Sequence, residues 1–212
     1  MCYNASMQGK LISFEGIDGA GKTTQVALLQ DYFRQHGKKV LLTREPGGTY
    51  VAEQIRSILL DPKNKSLDDL SELLLYEAAR AQVYREIVVP ALKQGTMVIM
   101  DRSIDSGVVY QGIARGLGRE IVEKLNEIAT RGRKPDVTFL LDIPLTVSQK
   151  RKEANKLDRL ELEAERFHHK VRRGYLELWE QDGGKRIKKI NATRSVEEVF
   201  AQIVKILEAM ES

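Results

Sequence analysis

One short stretch constrains this 212-residue chain more than any other: Phe-Glu-Gly-Ile-Asp-Gly-Ala-Gly-Lys-Thr-Thr at residues 14–24. Within it, residues 16–23 match the pattern G-x-x-x-x-G-K-[S/T]. Residues 10–14 come just before, contain Leu11, Ile12 and Phe14, and predict a short buried strand. Residues 23–36 come after and predict a helix, whose apolar positions are Val26, Leu28, Leu29 and Phe33. A strand, a glycine-rich turn and a helix in this order predict a P-loop.

The residue types in this loop suit the binding of phosphate groups. Glycines let the backbone turn tightly and point its N–H groups at phosphate oxygens, and the positive end of the following helix adds to the attraction. Lys22 can reach the β- and γ-phosphates of a nucleotide, and the Thr23 hydroxyl can bind Mg²⁺. A glycine-rich turn that contains a lysine by coincidence is the alternative, and the flanking strand and helix argue against it. The predicted nucleotide-binding residues of the loop are Gly16, Ile17, Asp18, Gly19, Ala20, Gly21, Lys22, Thr23 and Thr24.

Composition limits the class of protein. A chain of 212 residues with 30% charged side chains predicts one soluble globular domain. No apolar run approaches the roughly 20 residues of a membrane span, and residues 1–8 lack the apolar core of a signal peptide. The single cysteine, Cys2, cannot form an internal disulfide, which fits a reducing cytoplasm. The net charge of +4 is modest. It could indicate a nucleic-acid partner, but a protein that handles several phosphates needs a basic site too. We expect no nucleic-acid partner and no membrane partner.

The rest of the chain alternates apolar strands with amphipathic helices. Strands are predicted at residues 10–14, 39–43, 96–101, 137–142 and 186–190. Helices are predicted at residues 23–36, 51–60, 67–93, 119–130, 161–179 and 195–210. This alternation predicts a parallel sheet covered by helices on both faces. In the long segment 67–93, the residues predicted to face inward are Leu70, Leu73, Leu74, Ala78, Ala81 and Val88.

Charged side chains stand at the ends of two of these strands. Arg44 ends the second strand, and Asp101 and Arg102 end the third. In open α/β sheets the carboxyl ends of the strands border the ligand crevice, so these residues are predicted to be functional rather than solvated. An acidic residue beside a P-loop can hold Mg²⁺ directly or through water. Asp101 therefore joins Thr23 as a predicted metal ligand.

Two other features of the sequence allow a functional and a structural interpretation. Tyr76 and Arg80 lie four residues apart and share one helical face. A ring that stacks and a guanidinium that donates to a carbonyl suit a nucleobase, but this spacing occurs more often for packing and solvation. Residues 149–159 are dense in charge and have little to bury. They form either a solvated helix end or a lid that closes over anions.

The P-loop by itself does not distinguish a kinase from other nucleotide-binding proteins. A GTPase would need a guanine-reading Asn-Lys-x-Asp element at the end of an apolar strand. Residues 155–158 match that pattern but follow a charged segment, so we treat the match as coincidence. A motor or a helicase would be longer. A small kinase with two anionic substrates best explains the additional arginines.

In its motifs the chain resembles the thymidylate kinase family. The resemblance rests on residues 14–25, on Thr-Arg-Glu-Pro-Gly-Gly-Thr at 43–49, on the segment with Tyr76 and Arg80, on Asp-Arg at 101–102 followed by Ser106 and Tyr-Gln at 110–111, and on Leu-Asp-Arg-Leu-Glu at 157–161. The motifs occur in family order over nearly the whole chain. The resemblance implies a three-layer P-loop nucleoside monophosphate kinase fold with a five-stranded parallel sheet, and a homodimer.

The resemblance also implies an activity: phosphorylation of dTMP to dTDP by ATP with Mg²⁺, a step of dTTP biosynthesis. A kinase for another nucleoside monophosphate is the alternative enzyme. A non-catalytic nucleotide-binding switch is the alternative from another class, although a switch does not need a second anion site.

By resemblance, individual residues acquire roles toward the acceptor. Asp18 would hold the 3′-hydroxyl of the deoxyribose. Arg44 and Arg102 would bind the dTMP phosphate. Tyr76 would stack on thymine, and Arg80 would bind a thymine carbonyl.

Further positions complete the site that the resemblance implies. Ser106 and Gln111 would lie near the base, and Tyr110 would pack on the sugar and disfavour a 2′-hydroxyl. The turn at 191–193, with Ala192, would lie against adenine.

Some members of the family carry an arginine inside the P-loop, where this chain has Gly19. The sequence is therefore similar to the bacterial-type group, in which the lid supplies the cation. Here we predict a single kinase domain over residues 1–212 with a mobile lid at about 148–160. The candidates for the lid cation are Arg151, Lys152, Lys156 and Arg159. The predicted catalytic residues are Lys22, Arg44, Arg102 and Arg151.

Overall fold

The fold is known from a computed structural model that describes residues 9–152 and 158–211. Within these residues five parallel strands form one sheet in the order β2-β3-β1-β4-β5. The strands are β1 (Leu11–Glu15), β2 (Val40–Arg44), β3 (Met97–Asp101), β4 (Val137–Asp142) and β5 (Ile187–Asn191). All five predicted strands are confirmed, with ends that differ from the prediction by at most one residue.

Helices connect the strands and cover the sheet on both faces. The α-helices are α1 (Lys22–Gln35), α2 (Tyr50–Leu60), α3 (Asp69–Val83), α4 (Val89–Lys93), α5 (Ile104–Gly107), α6 (Arg119–Thr130), α7 (Leu145–Lys152), α8 (Glu165–Asp182) and α9 (Val196–Glu211). Two π-helical segments, π1 (Tyr84–Val88) and π2 (Val108–Ala114), continue α3 and α5. This is the α/β architecture that the alternation of the sequence predicts. None of the helices in the described part of the chain is long and apolar enough to cross a membrane.

Alternate residues of the strands feed two separate cores. Leu11, Val98 and Met100 are buried in the core on one face of the sheet. Ile12 and Phe14 are buried in the core on the other face, where the ring of Phe14 lies 5.4 Å from that of Phe139. Side chains alternate across a strand, so an almost wholly apolar strand requires helices on both faces.

The long segment predicted as one helix consists of three parts. Pro90 has no N–H to donate to the preceding turn. The chain widens just before it, and the N–H of Val89 donates to the carbonyl of Tyr84, five residues back. The segment thus runs from α3 through π1 into α4.

The prediction of which α3 residues face inward was partly wrong. Leu73 is fully buried as predicted, but Leu70 and Leu74 are 44% and 50% exposed. Ala78 is exposed as well. Polar residues occupy the inward positions of α3 instead, and three of them, Glu72, Glu77 and Arg80, are buried. The core on this side is therefore built partly from paired charges.

Two sequence predictions about the C-terminal helices have clear outcomes. The helix predicted from residue 161 begins at Glu165, and its predicted core face is buried at Phe167, Val171, Tyr175 and Leu178. Ser195 was predicted as the N-cap of the last helix. Its hydroxyl accepts from the N–H of Glu198, whose carboxylate accepts from the N–H of Ser195, which is a capping box.

The predicted single domain of residues 1–212 with a lid at about 148–160 is described only in part. Residues 148–152 belong to α7, and residues 158–160 lead toward α8. Residues 153–157 lie outside the described part, so mobility of the lid stays a prediction.

Candidate functional site

The P-loop turns where a side chain at position 16 would not fit. Gly16 has φ +135°, and a Cβ there would lie 2.4 Å from the carbonyl oxygen of Leu141. Gly21, with φ 91°, then leads directly into α1, which starts at Lys22. The first backbone N–H groups of a 14-residue helix thus face the loop, an arrangement suited to an anion.

Lys22 is held inside the loop that it is predicted to serve. Its side chain is only 7% exposed, and Nζ donates to the carbonyl oxygens of Gly16 and Ile17 at 3.1 and 3.2 Å. Burial lowers the pKa of the Lys22 ammonium, and nearby Arg102 lowers it further, while the Asp18 carboxylate opposes both effects. The ammonium thus lies on the inner side of the loop, where a bound phosphate would replace its carbonyl partners.

Thr23 and Asp101 meet beside the loop. The Thr23 hydroxyl donates to the Asp101 carboxylate at 3.1 Å. Hard oxygen donors are what Mg²⁺ prefers, and it commonly takes one or two protein oxygens together with phosphates and waters. Among the residues that the structure describes, no cluster of three or more His, Cys, Asp or Glu could hold an ion by itself. The pair therefore fits a magnesium ion that is shared with a nucleotide.

Arg102 joins the end of β3 to the P-loop. Its backbone has φ 70°, and its N–H donates to the carbonyl of Phe14 at 2.9 Å. In its side chain, Nη2 donates to the Asp18 carboxylate at 2.5 Å, and Nη1 donates to the carbonyl of Gly16 at 3.1 Å. Predicted residues from two separate motifs are thereby brought into direct contact.

Glu15 is a buried carboxylate beneath Arg102. It accepts hydrogen bonds from the N–H of Ser103 at 2.7 Å, the hydroxyl of Ser106 at 2.6 Å and the hydroxyl of Tyr175 at 2.8 Å. Burial raises the pKa of Glu15 above its usual value and the Asp105 carboxylate adds to the increase, whereas Arg102 and the hydrogen bonds oppose it. The last residue of β1 thus anchors the segment that follows β3.

A cleft opens beside the P-loop between α2, α3 and the segment after β3. Predicted substrate residues line it together with residues that were not predicted. The predicted ones are Asp18, Tyr76, Arg80, Arg102, Ser106, Tyr110 and Gln111. The others are Glu45, Pro46, Arg56, Leu60, Gly107, Asp158 and Leu160. The Tyr76–Arg80 face is therefore a wall of the cleft.

Arg80 lies in the wall of the cleft but is almost entirely enclosed. Its Nε donates to Glu45 at 2.8 Å, and Nη1 donates to Glu77 and, at 2.6 Å, to Asn126. Two carboxylates thus surround one guanidinium. Burial raises the pKa of Glu45 to about 7, and the neighbouring carboxylate of Glu77 contributes to the increase, whereas Arg80 opposes it.

Gln111 and Tyr110 are fixed by neighbours on the far side of the cleft. The amide nitrogen of Gln111 donates to the buried Glu72 at 2.8 Å. The Tyr110 ring is buried, and the guanidinium carbon of Arg102 lies 5.2 Å from its centroid. Both side chains therefore have defined positions next to Tyr76 and Arg102.

Arg44 lies outside this cleft within the described part of the chain. Its Nη2 donates to both carboxylate oxygens of Glu53, each at 3.0 Å, and the side chain is half exposed. Arg56 lies in α2 one turn after Glu53 and lines the cleft instead. Its Nη1 donates to the carbonyl of Pro46 at 2.7 Å. Arg56 was not predicted because a helical arginine outside any motif has no distinguishing signal.

The lid cations separate into two kinds. Arg151 is exposed beside the P-loop, donating to the carbonyl of Gly19 at 3.1 Å and to the carbonyl of Ala192 at 3.2 Å. Arg159 is buried, and its Nη2 donates to Glu72 at 2.5 Å. The side chain of Lys152 and the whole of Lys156 lie outside the described residues.

The same contacts explain why the P-loop carries Gly19. This residue has φ +77°, and a Cβ there would lie 3.1 Å from the carbonyl of Ser148 in α7. The Ser148 hydroxyl also donates to the carbonyl of Asp18 at 2.6 Å. Because α7 packs directly on the loop at this position, an arginine there would be crowded.

Two further residues of the site were not predicted to be functional. Glu15 could have been recognised as a carboxylate in an otherwise apolar strand, since a buried charge needs hydrogen-bonding partners. Tyr175 was assigned to the core face of its helix, and the sequence pattern does not reveal where a buried phenol directs its hydroxyl. Both lie directly behind Arg102.

Comparison with known proteins yields one consistent family. The family model described as "Thymidylate kinase" matches residues 14–203. The chain is 50% identical over 202 residues to a thymidylate kinase of Caldanaerobacter subterraneus subsp. tengcongensis, covering 95% of this chain and 96% of that protein. It is 46% identical over 201 residues to a thymidylate kinase of Geobacillus sp., covering 93% and 95%.

A solved structure gives the same result for the fold. The crystal structure of thymidylate kinase from Ehrlichia chaffeensis is similar to this chain with a TM-score of 0.77 and 34% sequence identity. The match covers 94% of this chain and 98% of that one.

Proposed function

The chain belongs to the thymidylate kinase family, and we propose from the geometry of its cleft how it carries out the activity of that family. The enzyme transfers the γ-phosphoryl group of ATP to dTMP. An oxygen of the dTMP phosphate forms a bond to the γ-phosphorus, the bond to the bridging β–γ oxygen breaks, and ADP leaves. The attacking oxygen is already ionised near neutral pH, so no general base is required.

The acceptor nucleoside occupies the cleft between α3 and the segment after β3. Thymine stacks on Tyr76 and accepts from Arg80, and the cavity that these two side chains line supports this assignment. Ser106 and Gln111 lie beside the base, and the buried Tyr110 ring packs on the sugar. The close approach of that ring disfavours a 2′-hydroxyl.

The acceptor phosphate lies at the other end of the cleft. Arg102 and Arg56 both line it, and Asp18, paired with Arg102, is in reach of the 3′-hydroxyl of the sugar. Arg44 joins them by leaving its half-exposed ion pair with Glu53. Breaking the Arg44–Glu53 pair costs little free energy, because an exposed ion pair contributes only about 0–1 kcal/mol to stability.

ATP binds on the other side of the P-loop. The backbone N–H groups of residues 16–24 and the Lys22 ammonium hold its phosphates, and the turn at Ala192 lies against adenine. Arg151 lies between the P-loop and the turn at Ala192, since it contacts the carbonyls of Gly19 and Ala192. Of the lid cations in the described residues, Arg151 is therefore the one in reach of the transferring group, whereas Arg159 is buried against Glu72.

Thr23 and Asp101 would hold Mg²⁺ through the Thr23 hydroxyl and the Asp101 carboxylate, directly or through water. When bound, the ion neutralises charge on the β- and γ-phosphate oxygens. The remaining charge is neutralised by Lys22, Arg102 and Arg151. Catalysis is then positioning and electrostatic stabilisation, because two polyanions must be brought together.

The observation that carries this proposal is the contact of Arg102 with Gly16 and Asp18 of the P-loop. It supports an acceptor phosphate site, at Arg102, directly beside the proposed ATP phosphate site. The test is a coupled assay of ADP release with dTMP, dUMP, UMP, CMP, AMP and GMP at equal concentrations. We expect dTMP to give the highest kcat/KM. Faster turnover of another monophosphate would identify a different kinase, and nucleotide binding without turnover on any of them would identify a switch.

The assembly we propose is a homodimer, in the cytoplasm. The predicted inward residues of α3 that are exposed in the single chain, Leu70, Leu74 and Ala78, form an apolar stripe at helical spacing. Val51 and Ile58 of the adjacent α2 are exposed too. An isologous interface between two copies would bury this stripe.

A further inference from the structure

One buried hydroxyl group joins three residues behind the acceptor phosphate site. Tyr175 lies in α8, and its side chain is 3% exposed. Its hydroxyl oxygen is 2.8 Å from the Glu15 carboxylate, 2.8 Å from the hydroxyl of Ser106 and 3.2 Å from Nη1 of Arg102. These partners belong to β1, to α5 and to the end of β3.

The hydrogen-bond donors fix the direction of this arrangement. Glu15 as a carboxylate only accepts, and Arg102 only donates. The hydroxyls of Tyr175 and Ser106 both donate to Oε2 of Glu15, and both oxygens accept from Nη1 of Arg102. Each hydroxyl therefore links the buried carboxylate to the guanidinium and is polarised by both.

The opposite end of the guanidinium faces Asp18, which is 31% exposed, while Arg102 itself is 16% exposed. Nη1 is thus held by the two hydroxyls and, at 3.1 Å, by the carbonyl of Gly16, and Nη2 is directed to the side of the cleft. In this orientation the guanidinium can bind an anion that enters from the cleft.

We propose that Tyr175 is a positioning residue for Arg102: its hydroxyl, held by Glu15, fixes Nη1 so that the guanidinium is presented to the acceptor phosphate. The inference rests on the proposed role of Arg102 in binding that phosphate. The ring of Tyr175 has a separate, structural role, because it packs in the core beside Tyr110 with ring centroids 6.4 Å apart. Tyr175→Phe therefore removes the hydroxyl and retains the ring.

The test compares two ligands that differ only in the phosphate. Affinities of the full-length protein for dTMP and for thymidine are measured by isothermal titration calorimetry. We expect Tyr175→Phe to weaken dTMP binding about tenfold, because the loss of one hydrogen bond to a charged group has an effect of about that size. Thymidine binding should be unchanged. In steady-state assays kcat/KM for dTMP should fall by a similar factor.

Tyr84→Phe is the matched control. Tyr84 is also a buried tyrosine, its hydroxyl has one polar partner in the described residues, the hydroxyl of Ser103 at 3.1 Å, and it makes no contact with Arg102 there. It should leave both affinities unchanged. Equal weakening of dTMP and thymidine by Tyr175→Phe, or a dTMP-selective loss with Tyr84→Phe as well, would overturn the proposal.

Arg102→Ala separates this inference from the function on which it rests. It should weaken dTMP binding and retain thymidine binding, and Tyr175→Phe should then have no further effect on dTMP. If Arg102→Ala has no selective effect, the assignment of Arg102 to the phosphate is wrong. If Arg102→Ala is selective but Tyr175→Phe alone changes nothing, only the role of Tyr175 is wrong.

Discussion

Nη2 of Arg102 donates a 2.5 Å hydrogen bond to the carboxylate of Asp18, and this contact joins the end of β3 to the P-loop. The loop therefore has two sides. Lys22 and the backbone N–H groups are proposed to hold one anion, and Asp18 with Arg102 faces the cleft where a second one is proposed. A displacement of Arg102 would remove its contact with Asp18 and also its hydrogen bond to the carbonyl of Gly16.

The first prediction concerns Arg102 in turnover. Arg102→Ala should retain the fold and lower kcat/KM for dTMP by a hundredfold or more, since one lost electrostatic contact in the transition state costs on the order of 3 kcal/mol. Arg173→Ala is the control, because Arg173 is 82% exposed and pairs only with Glu177 in the described residues. Near-normal turnover of Arg102→Ala with an intact melting curve would contradict the assignment.

The second prediction separates the two arginines that flank the charged segment. Arg151→Ala should lower kcat and leave the melting temperature unchanged, because the side chain is exposed beside Gly19 and Ala192. Arg159→Ala should lower the melting temperature and leave kcat unchanged. It removes a buried partner of Glu72, a loss of about 2 kcal/mol, or roughly 4–8 °C for a chain of this size.

Differential scanning fluorimetry and steady-state kinetics on the same protein samples measure both effects. The prediction is wrong if Arg159→Ala loses turnover at an unchanged melting temperature. It is also wrong if Arg151→Ala retains full kcat.

The sequence predicted most of the fold because β3 and β4 are largely apolar runs and the P-loop has fixed spacing. It failed on α3, where Leu70 and Leu74 have helical periodicity but lie on the surface of the single chain. Hydrophobic periodicity cannot reveal that Glu72 and Arg80 face inward, because a buried charge is recognised only by partners that are distant in sequence.

The same limit applies to the site. The residues within motifs could be predicted, and the cleft brings most of them together. Arg56 could not, because it lies in a helix without a motif, and Arg159 was grouped with the lid although it is buried against Glu72. What the sequence cannot provide is the direction of a side chain relative to elements that fold against it.

The third prediction concerns the metal. Because Asp101 accepts from the Thr23 hydroxyl at the proposed magnesium site, Asp101→Asn should raise the Mg²⁺ concentration that gives half-maximal activity about tenfold. Titration of activity with MgCl₂ at saturating ATP measures the shift. Asp31→Asn, on the exposed face of α1, is the control. An unchanged Mg²⁺ dependence in Asp101→Asn would exclude Asp101 from the metal site.

The fourth prediction concerns assembly. The chain has a mass of 24.0 kDa, so light scattering after gel filtration should give about twice that value for the wild type. Leu74→Asp places a charge in the exposed apolar stripe of α3 and should shift the protein to a monomer. Met210→Asp, at an exposed position on α9, should leave the dimer intact. A wild-type monomer, or a dimer of Leu74→Asp, would show that the stripe is not the interface.

The last prediction concerns Glu45, whose carboxylate contacts Arg80 together with that of Glu77. Glu45 is buried, faces Arg80, Glu77 and Glu15, and its Oε1 has no hydrogen-bond partner among the described residues. Its pKa rises from 4.5 to about 7 on folding, so the folded protein holds this proton more tightly than the unfolded chain does. The resulting stabilisation is present below about pH 4.5 and is lost as pH rises through about 7.

Glu45→Gln removes this titration and retains an oxygen that can accept from Arg80. Between pH 5.5 and 8.5 the free energy of unfolding of the wild type should therefore fall relative to that of the variant by about 2 kcal/mol. Urea unfolding followed by circular dichroism at the two pH values gives this difference. If the wild type instead gains stability relative to Glu45→Gln over this range, Glu45 is ionised in the folded protein at low pH and the Arg80 ion pair outweighs its burial.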